Sequence, residues 1–164
     1  MAADEPSIRD ARPGDWPAVA ELLRQLGRPS ALGTETEGEL RRVYDEFLSR
    51  PDAAALVAEY DGRVVGFCDL LFLPRLNFAG PQGWIPDLVV AEDKRGRGIG
   101  AALLSRAEDR ARDRGCWSVF LSSANWRTRS HGFYQREGWD QSGQCFSKSL
   151  TGEPWPPPPA GEKG

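Results

Sequence analysis

Apolar and polar positions change period several times along the chain, and each change marks an element. Residues 7–11, SIRDA, have the length of a short first strand behind a loose lead-in at 1–6. In RPGDWPAVAELLRQLG, Ala18, Leu22, Leu23 and Leu26 form the apolar stripe of a helix. Asp15 stands at its capping position, Pro17 lies in its first turn, and Gly27 stops it. After the breaker RPSALG, Thr34 is placed to cap a second helix that runs to about Leu48. AAALVAEY and RVVGFCDLLFL, joined by Asp61-Gly62, predict a hairpin.

Downstream, PRLNFAGPQG reads as a loop and WIPDLVV as a further strand. Ile99, Leu103, Ala107 and Ala111 recur every fourth residue, which predicts a helix from about Gly98 to Arg114 ended by Gly115. CWSVFL reads as a buried strand, WRTRSHGFYQRE as a short helix and CFSKSL as a last strand. Residues 151–164 are proline-rich and are expected to be extended or disordered. The order is strand, two helices, three strands, helix, strand, helix, strand. One mixed sheet with helices on both faces, within a single α/β domain over 7–150, is the simplest way to bury it.

Composition narrows the function. The net charge of −3 argues against a nucleic-acid or membrane-surface binder, whose affinity rests on neutralising phosphates. Cys68, Cys116 and Cys145 are odd in number and far apart, and fit neither a disulfide framework nor a metal spacing. The first ten residues lack an apolar leader segment, and no apolar run is long enough to span a bilayer. A cytoplasmic protein that uses no metal is the expectation.

The candidate chemistry sits in VVAEDKRGRGIGAALL, a strand, a basic glycine turn and a helix. A helix N-terminus offers unpaired amides and partial positive charge, and glycines before it let the backbone close on a phosphate. A diphosphate is the natural guest. Gly96, Gly98 and Ala101 formally satisfy the dinucleotide fingerprint G-x-G-x-x-G/A, which also requires an acid about twenty residues on. That region reads VFLSSAN and has none, and no Gly-Lys-Ser/Thr of a phosphate-cleaving loop occurs.

Arg95-Gly96-Arg97-Gly98-Ile99-Gly100 resembles the R/Q-x-x-G-x-G/A signature of the GNAT acetyltransferase superfamily, and HGFYQREGW downstream is similar to that family's FYxxxGF. The two matches are correctly ordered and spaced. The resemblance implies a GNAT-like α/β fold whose central sheet splays between its fourth strand, WIPDLVV, and its fifth, in CWSVFL. It implies acetyl-CoA as cosubstrate and a primary amine as acceptor, with dimers frequent among relatives. Carried over, the amides of Arg95, Gly96, Arg97, Gly98, Ile99 and Gly100 hold the CoA diphosphate. The backbone of Leu88, Val89 and Val90 pairs with the pantetheine arm, and Asn125 touches the cofactor. Tyr134 protonates the departing thiolate, a role that suits a phenol of pKa about 10.

Where some relatives carry Glu-Asp before the glycine turn, this chain has Pro86-Asp87. Asp87 is the candidate base or substrate anchor, with Glu59 and Asp69 on adjacent strands in reserve. Pro86 cannot donate to a sheet and favours a bulge or edge. His131, the only histidine, stands one helical turn before Tyr134. Glu35, Glu37 and Glu39 either attract a cationic substrate or complement a helix dipole. Phe72, Phe78 and Trp84 offer an apolar wall or ordinary packing. The expected reaction is acetyl transfer to a small-molecule amine by direct attack in a ternary complex. Protein N-terminal or lysine acetylation and a non-catalytic acyl-CoA sensor remain the alternatives.

Overall fold

In the computed structural model, which describes residues 5–152, the chain runs β1 (Ser7–Asp10), α1 (Trp16–Gln25), α2 (Glu37–Leu48), β2 (Ala53–Tyr60), β3 (Arg63–Pro74), β4 (Pro81–Trp84), β5 (Leu88–Val90), α3 (Ile99–Asp113), β6 (Ser118–Phe120) and α4 (Thr128–Arg136). Residues 5–121 and 122–152 belong to two compact units, and the first carries the whole sheet. Of the expected loose lead-in and proline-rich tail, residues 1–4 and 153–164 lie outside the described residues.

The strand order is β1-β2-β3-β4-β6, with β5 also on β3. Every pairing is antiparallel except β4 with β6, so the sheet is mixed. The hairpin falls where the sequence puts it: Asp61 and Gly62 take φ of 51° and 69° and join β2 to β3.

Strand alternation then fixes the faces. Ala55, Val57, Phe67 and Val89 pack with Trp16, Val19 and Leu22 of α1 and Tyr44 of α2. On the opposite face α3 lies directly on Gly66, where a Cβ would stand 2.8 Å from Leu103 Cδ1 and 3.1 Å from Ala58 Cβ. The predicted stripe of α3, Ile99, Leu103, Ala107 and Ala111, is buried throughout.

Several expectations need correction. WIPDLVV is not one strand: β4 begins at Pro81, inside the expected loop, and the chain breaks at residues 85–87 before β5 resumes on β3. Pro86 has no amide to donate, so the ladder cannot run through it. CWSVFL yields only Ser118–Phe120, and this strand is half-buried because β4 is its one partner among the described residues. Residues 145–150 form no strand, and Phe146 and Leu150 are exposed. That segment places only Phe146 and Leu150 as apolar residues on one face, too little for a strand to stand without a partner.

Neither expected cap caps. The Asp15 carboxylate accepts two hydrogen bonds from Arg9, at 2.8 and 3.0 Å, and one from the Arg12 amide, at 2.8 Å. Thr34 instead donates to the Ala31 carbonyl at 2.7 Å, and α2 starts three residues later.

Candidate active site

The turn from β5 into α3 is open and rich in donors. Gly96 and Gly98 take φ of 76° and 78°, a region that L side chains rarely adopt. Gly98 is the N-cap of α3, and no side chain caps the helix. The first intrahelical bond of α3 runs from the Ala102 amide to the Gly98 carbonyl at 3.0 Å. The helix itself therefore gives the amides of Ile99, Gly100 and Ala101 no acceptor. A Cβ on Gly96 or Gly98 would meet nothing within 4 Å, so the turn is open at both glycines. Lys94 Nζ and the Arg97 guanidinium stand 5.5 and 6.0 Å from the centre of the Tyr60 ring and hold positive charge beside the turn. Backbone amides at a helix N-terminus, free of side-chain competition and flanked by cations, fit a diphosphate.

β5 leads into this turn with one edge open. The Asp69 amide donates to the Asp87 carbonyl at 3.2 Å and the Ala91 amide to the Val65 carbonyl at 2.8 Å. In an antiparallel ladder the intervening pair Phe67–Val89 bonds likewise, and the backbones of Leu88 and Val90 face away from β3. No strand among the described residues pairs with that side of β5. Arg95 Nε donates to the Val90 carbonyl there, at 3.2 Å. An extended ligand with amides of its own can complete such an edge.

At the upstream end of β5 the strand break gathers two carboxylates and a guanidinium. Asp69 and Asp87 sit two positions from Phe67 and Val89, hence on the α1–α2 face. Asp69 Oδ1 accepts the Asp87 amide at 2.8 Å, taking the place a main-chain carbonyl holds in a regular ladder. Arg28, just beyond α1, donates through Nε and Nη2 to Asp87 Oδ1 at 3.0 and 2.7 Å. Burial, and then the negative charge of Asp87, push the Asp69 carboxyl up to about 8. Sequence reasoning left Asp69 in reserve because its run, FCDLLFL, shows no alternation from which to read a face. It missed Arg28 altogether.

The other reserve, Glu59, accepts from Arg9 at 3.0 Å near the hairpin turn, in a structural ion pair. Glu37 accepts the Gly33 amide at 2.7 Å, and Glu37 and Glu39 lie in the first turn of α2, which favours the dipole reading. Phe72 and Phe78 line a shallow depression with Pro51 and Arg114. Arg114 follows α3 at its C-terminal end, about 22 Å of helix from the glycine turn. Trp84 stacks with Phe120 instead, ring centres 6.4 Å apart. The three aromatic residues therefore form no common wall.

In the second unit, Ala124–Arg127 is a tight turn in which the Arg127 amide donates to the Ala124 carbonyl at 2.9 Å. His131 Nε2 lies 3.0 Å from the same carbonyl, which can only accept, so the histidine braces the turn that presents exposed Asn125. Tyr134 is half-buried on α4, its ring 5.2 Å from Phe133 and 5.9 Å from Trp139.

Comparison with known proteins decides the family. The model of the acetyltransferase (GNAT) family matches residues 16–139. The chain belongs to this family. The acetyltransferase is 39% identical over 146 residues to the aminoalkylphosphonate N-acetyltransferase of Salmonella typhimurium, covering 87% of this chain and 90% of the relative. A solved structure of a putative acetyltransferase from Agrobacterium tumefaciens superposes with a TM-score of 0.78 at 30% identity, over 87% of this chain and 99% of that one. An aminoglycoside N-acetyltransferase solved in complex with CoA shares the fold at 20% identity, with a TM-score of 0.70 and coverage of 87% and 98%. No helix among the described residues is long and apolar enough to cross a membrane.

Proposed function

We propose that this acetyltransferase transfers the acetyl group of acetyl-CoA to the primary amine of a small molecule, by direct attack within a ternary complex. The observation that carries the reading is the uncapped start of α3, which follows an open turn of glycines at positive φ that also carries Arg95 and Arg97. In this reading the amides from Arg95 to Gly100 hold the CoA diphosphate. Leu88 and Val90 pair with the pantetheine arm, while Val89 between them keeps the strand on β3. Asn125 contacts the cofactor from its turn. The likeness to an aminoalkylphosphonate N-acetyltransferase supports a small amine as acceptor.

The chemistry requires the ammonium to shed a proton before its nitrogen can attack the thioester carbonyl, because an alkylammonium has a pKa of about 10. Tyr134 supplies the proton that the departing thiolate takes. Asp87, tied to Arg28, acts as an anchor at the strand break.

Calorimetry with acetyl-CoA, followed by thiol release with polyamines, aminoglycosides, amino acids, aminoalkylphosphonates and peptides, tests the proposal. Saturable acetyl-CoA binding and turnover with a small amine are expected. Turnover with peptides alone would move the assignment to protein acetylation. Binding without turnover across the panel would make the chain an acyl-CoA sensor.

A further inference from the structure

The strand break carries two acids where the reaction needs one proton acceptor, and their surroundings differ. Asp87 gives Oδ1 to two donors of a single guanidinium, so its charge is already matched. Asp69 receives no guanidinium bond. Its Oδ1 takes the neutral amide of Asp87 at 2.8 Å, and this bond orients the carboxyl. Both lie on the α1–α2 face at the upstream end of β5, the end toward which a pantetheine arm laid along the Leu88–Val90 edge from the glycine turn would run.

We propose that Asp69 is the group that takes the proton from the acceptor amine, with Asp87 and Arg28 as positioning residues. The inference rests on the acetyl-CoA reading of the β5 edge. The step balances without a further reactant. One proton of the ammonium passes to the Asp69 carboxylate, and the freed lone pair forms the bond to the acetyl carbon as the carbon–sulfur bond breaks. A second proton of the nitrogen ends on the thiolate, and the third stays on the amide. Asp69 then returns its proton to water.

The surroundings suit a base that works near neutrality. Burial and the Asp87 charge raise the basicity of Asp69, and Arg28 limits the rise. From β2 the residue opposite is Ala55, which does not titrate. The charged residues of α1, Glu21 and Arg24, pair with each other at 2.7 Å and are exposed or half-exposed. An acid with a pKa of about 8 is partly ionised at pH 7 to 8 and is a stronger base than an ordinary aspartate, which narrows its gap to an alkylammonium of pKa about 10.

Three variants of the full chain test this, Asp69→Asn, Asp69→Glu and Asp87→Asn, alongside the wild type. Asn keeps the oxygen that accepts the Asp87 amide, so folding is expected to survive; Glu keeps the acid should Asn fail to fold. In the protein without acetyl-CoA, difference infrared spectroscopy should show a protonated carboxyl that titrates near pH 8 and is missing from Asp69→Asn. In turnover, the wild-type rate should rise with pH to about 8 and then level. Asp69→Asn should lower kcat by on the order of 10²- to 10⁴-fold and lose that limb, with the Kd for acetyl-CoA within twofold. Asp69→Glu should restore part of the rate. Asp87→Asn should move the limb to lower pH, because it removes the charge that raises Asp69. If the wild type turns over and Asp69→Asn keeps the limb, or no carboxyl titrates above pH 6, the inference fails alone. If the wild type binds no acetyl-CoA, the reading of the site fails and the inference falls with it.

Discussion

Replacing Gly98 by Asp puts a negative charge where the diphosphate is proposed to rest, and the structure allows the size of the effect to be worked out. A Cβ at Gly98 has nothing within 4 Å, so the fold suffers only the left-handed φ of 78°, about 1 kcal/mol or somewhat more. Two unit charges about 4 Å apart repel by about 1 kcal/mol in bulk water and about 4 kcal/mol at a partly shielded protein surface. Affinity for CoA should therefore fall between about fivefold and a thousandfold. Gly98→Ala carries the same strain without the charge and separates the two causes. Calorimetry at low and high salt is the assay: the gap between Asp and Ala should narrow as salt screens the repulsion, whereas strain is indifferent to salt. A folded Gly98→Asp protein with an unchanged Kd for CoA would refute the cradle.

Three further outcomes follow from other parts of the molecule. Tyr134→Phe should lower turnover on the order of a hundredfold with acetyl-CoA affinity within twofold; unchanged turnover removes Tyr134 from the mechanism. Gly66→Ala should lower stability by about 1–3 kcal/mol in urea unfolding, because the new Cβ meets Leu103 and Ala58 at 2.8 and 3.1 Å. That loss outweighs the gain of roughly 0.5–1 kcal/mol from removing a strand glycine, and a variant as stable as the wild type would contradict the packing of α3 on β3. The Arg9 guanidinium, with the Arg12 amide, holds the Asp15 carboxyl below the usual carboxylate range. Its stabilisation is full above the ordinary aspartate pKa and is lost as pH falls through the lowered one, so Asp15→Asn should flatten the acid side of Tm against pH.

How much of this was legible in the sequence depended on whether the deciding partner was near or far along the chain. The α3 stripe and the Asp61-Gly62 turn are local patterns, and both appear where the periodicity puts them. The same holds for the glycine turn. Other elements were settled by pairing across the sheet. Residues 81–83 read as loop from their Pro and Gly, yet they form β4 because β3 and β6 flank them. CFSKSL alternates, and no strand forms. Asp15 and Thr34 look like caps, but Arg9 claims the first and Ala31 the second. Arg28 and Asp87 are 59 residues apart, and no local pattern joins them.

The strand break explains why the cradle, the open edge and the acids occur together. A parallel partner such as β6 can follow β4 only as far as the ladder is regular, and Pro86 interrupts it. Beyond that point β5 returns to β3 but its other edge has no strand among the described residues, so the main-chain groups of Leu88 and the amide of Val90 face a ligand's side, while Arg95 holds the Val90 carbonyl. The same interruption turns the Asp87 amide toward a side-chain oxygen, drawing Asp69 into the ladder and leaving Asp87 to Arg28. An edge left open at a strand break would ordinarily invite another strand, and a chain manages that hazard with charge or irregular geometry. Both devices stand at the end of β5, so the features that keep the sheet from pairing wrongly are the same ones to which the proposal assigns the proton transfer.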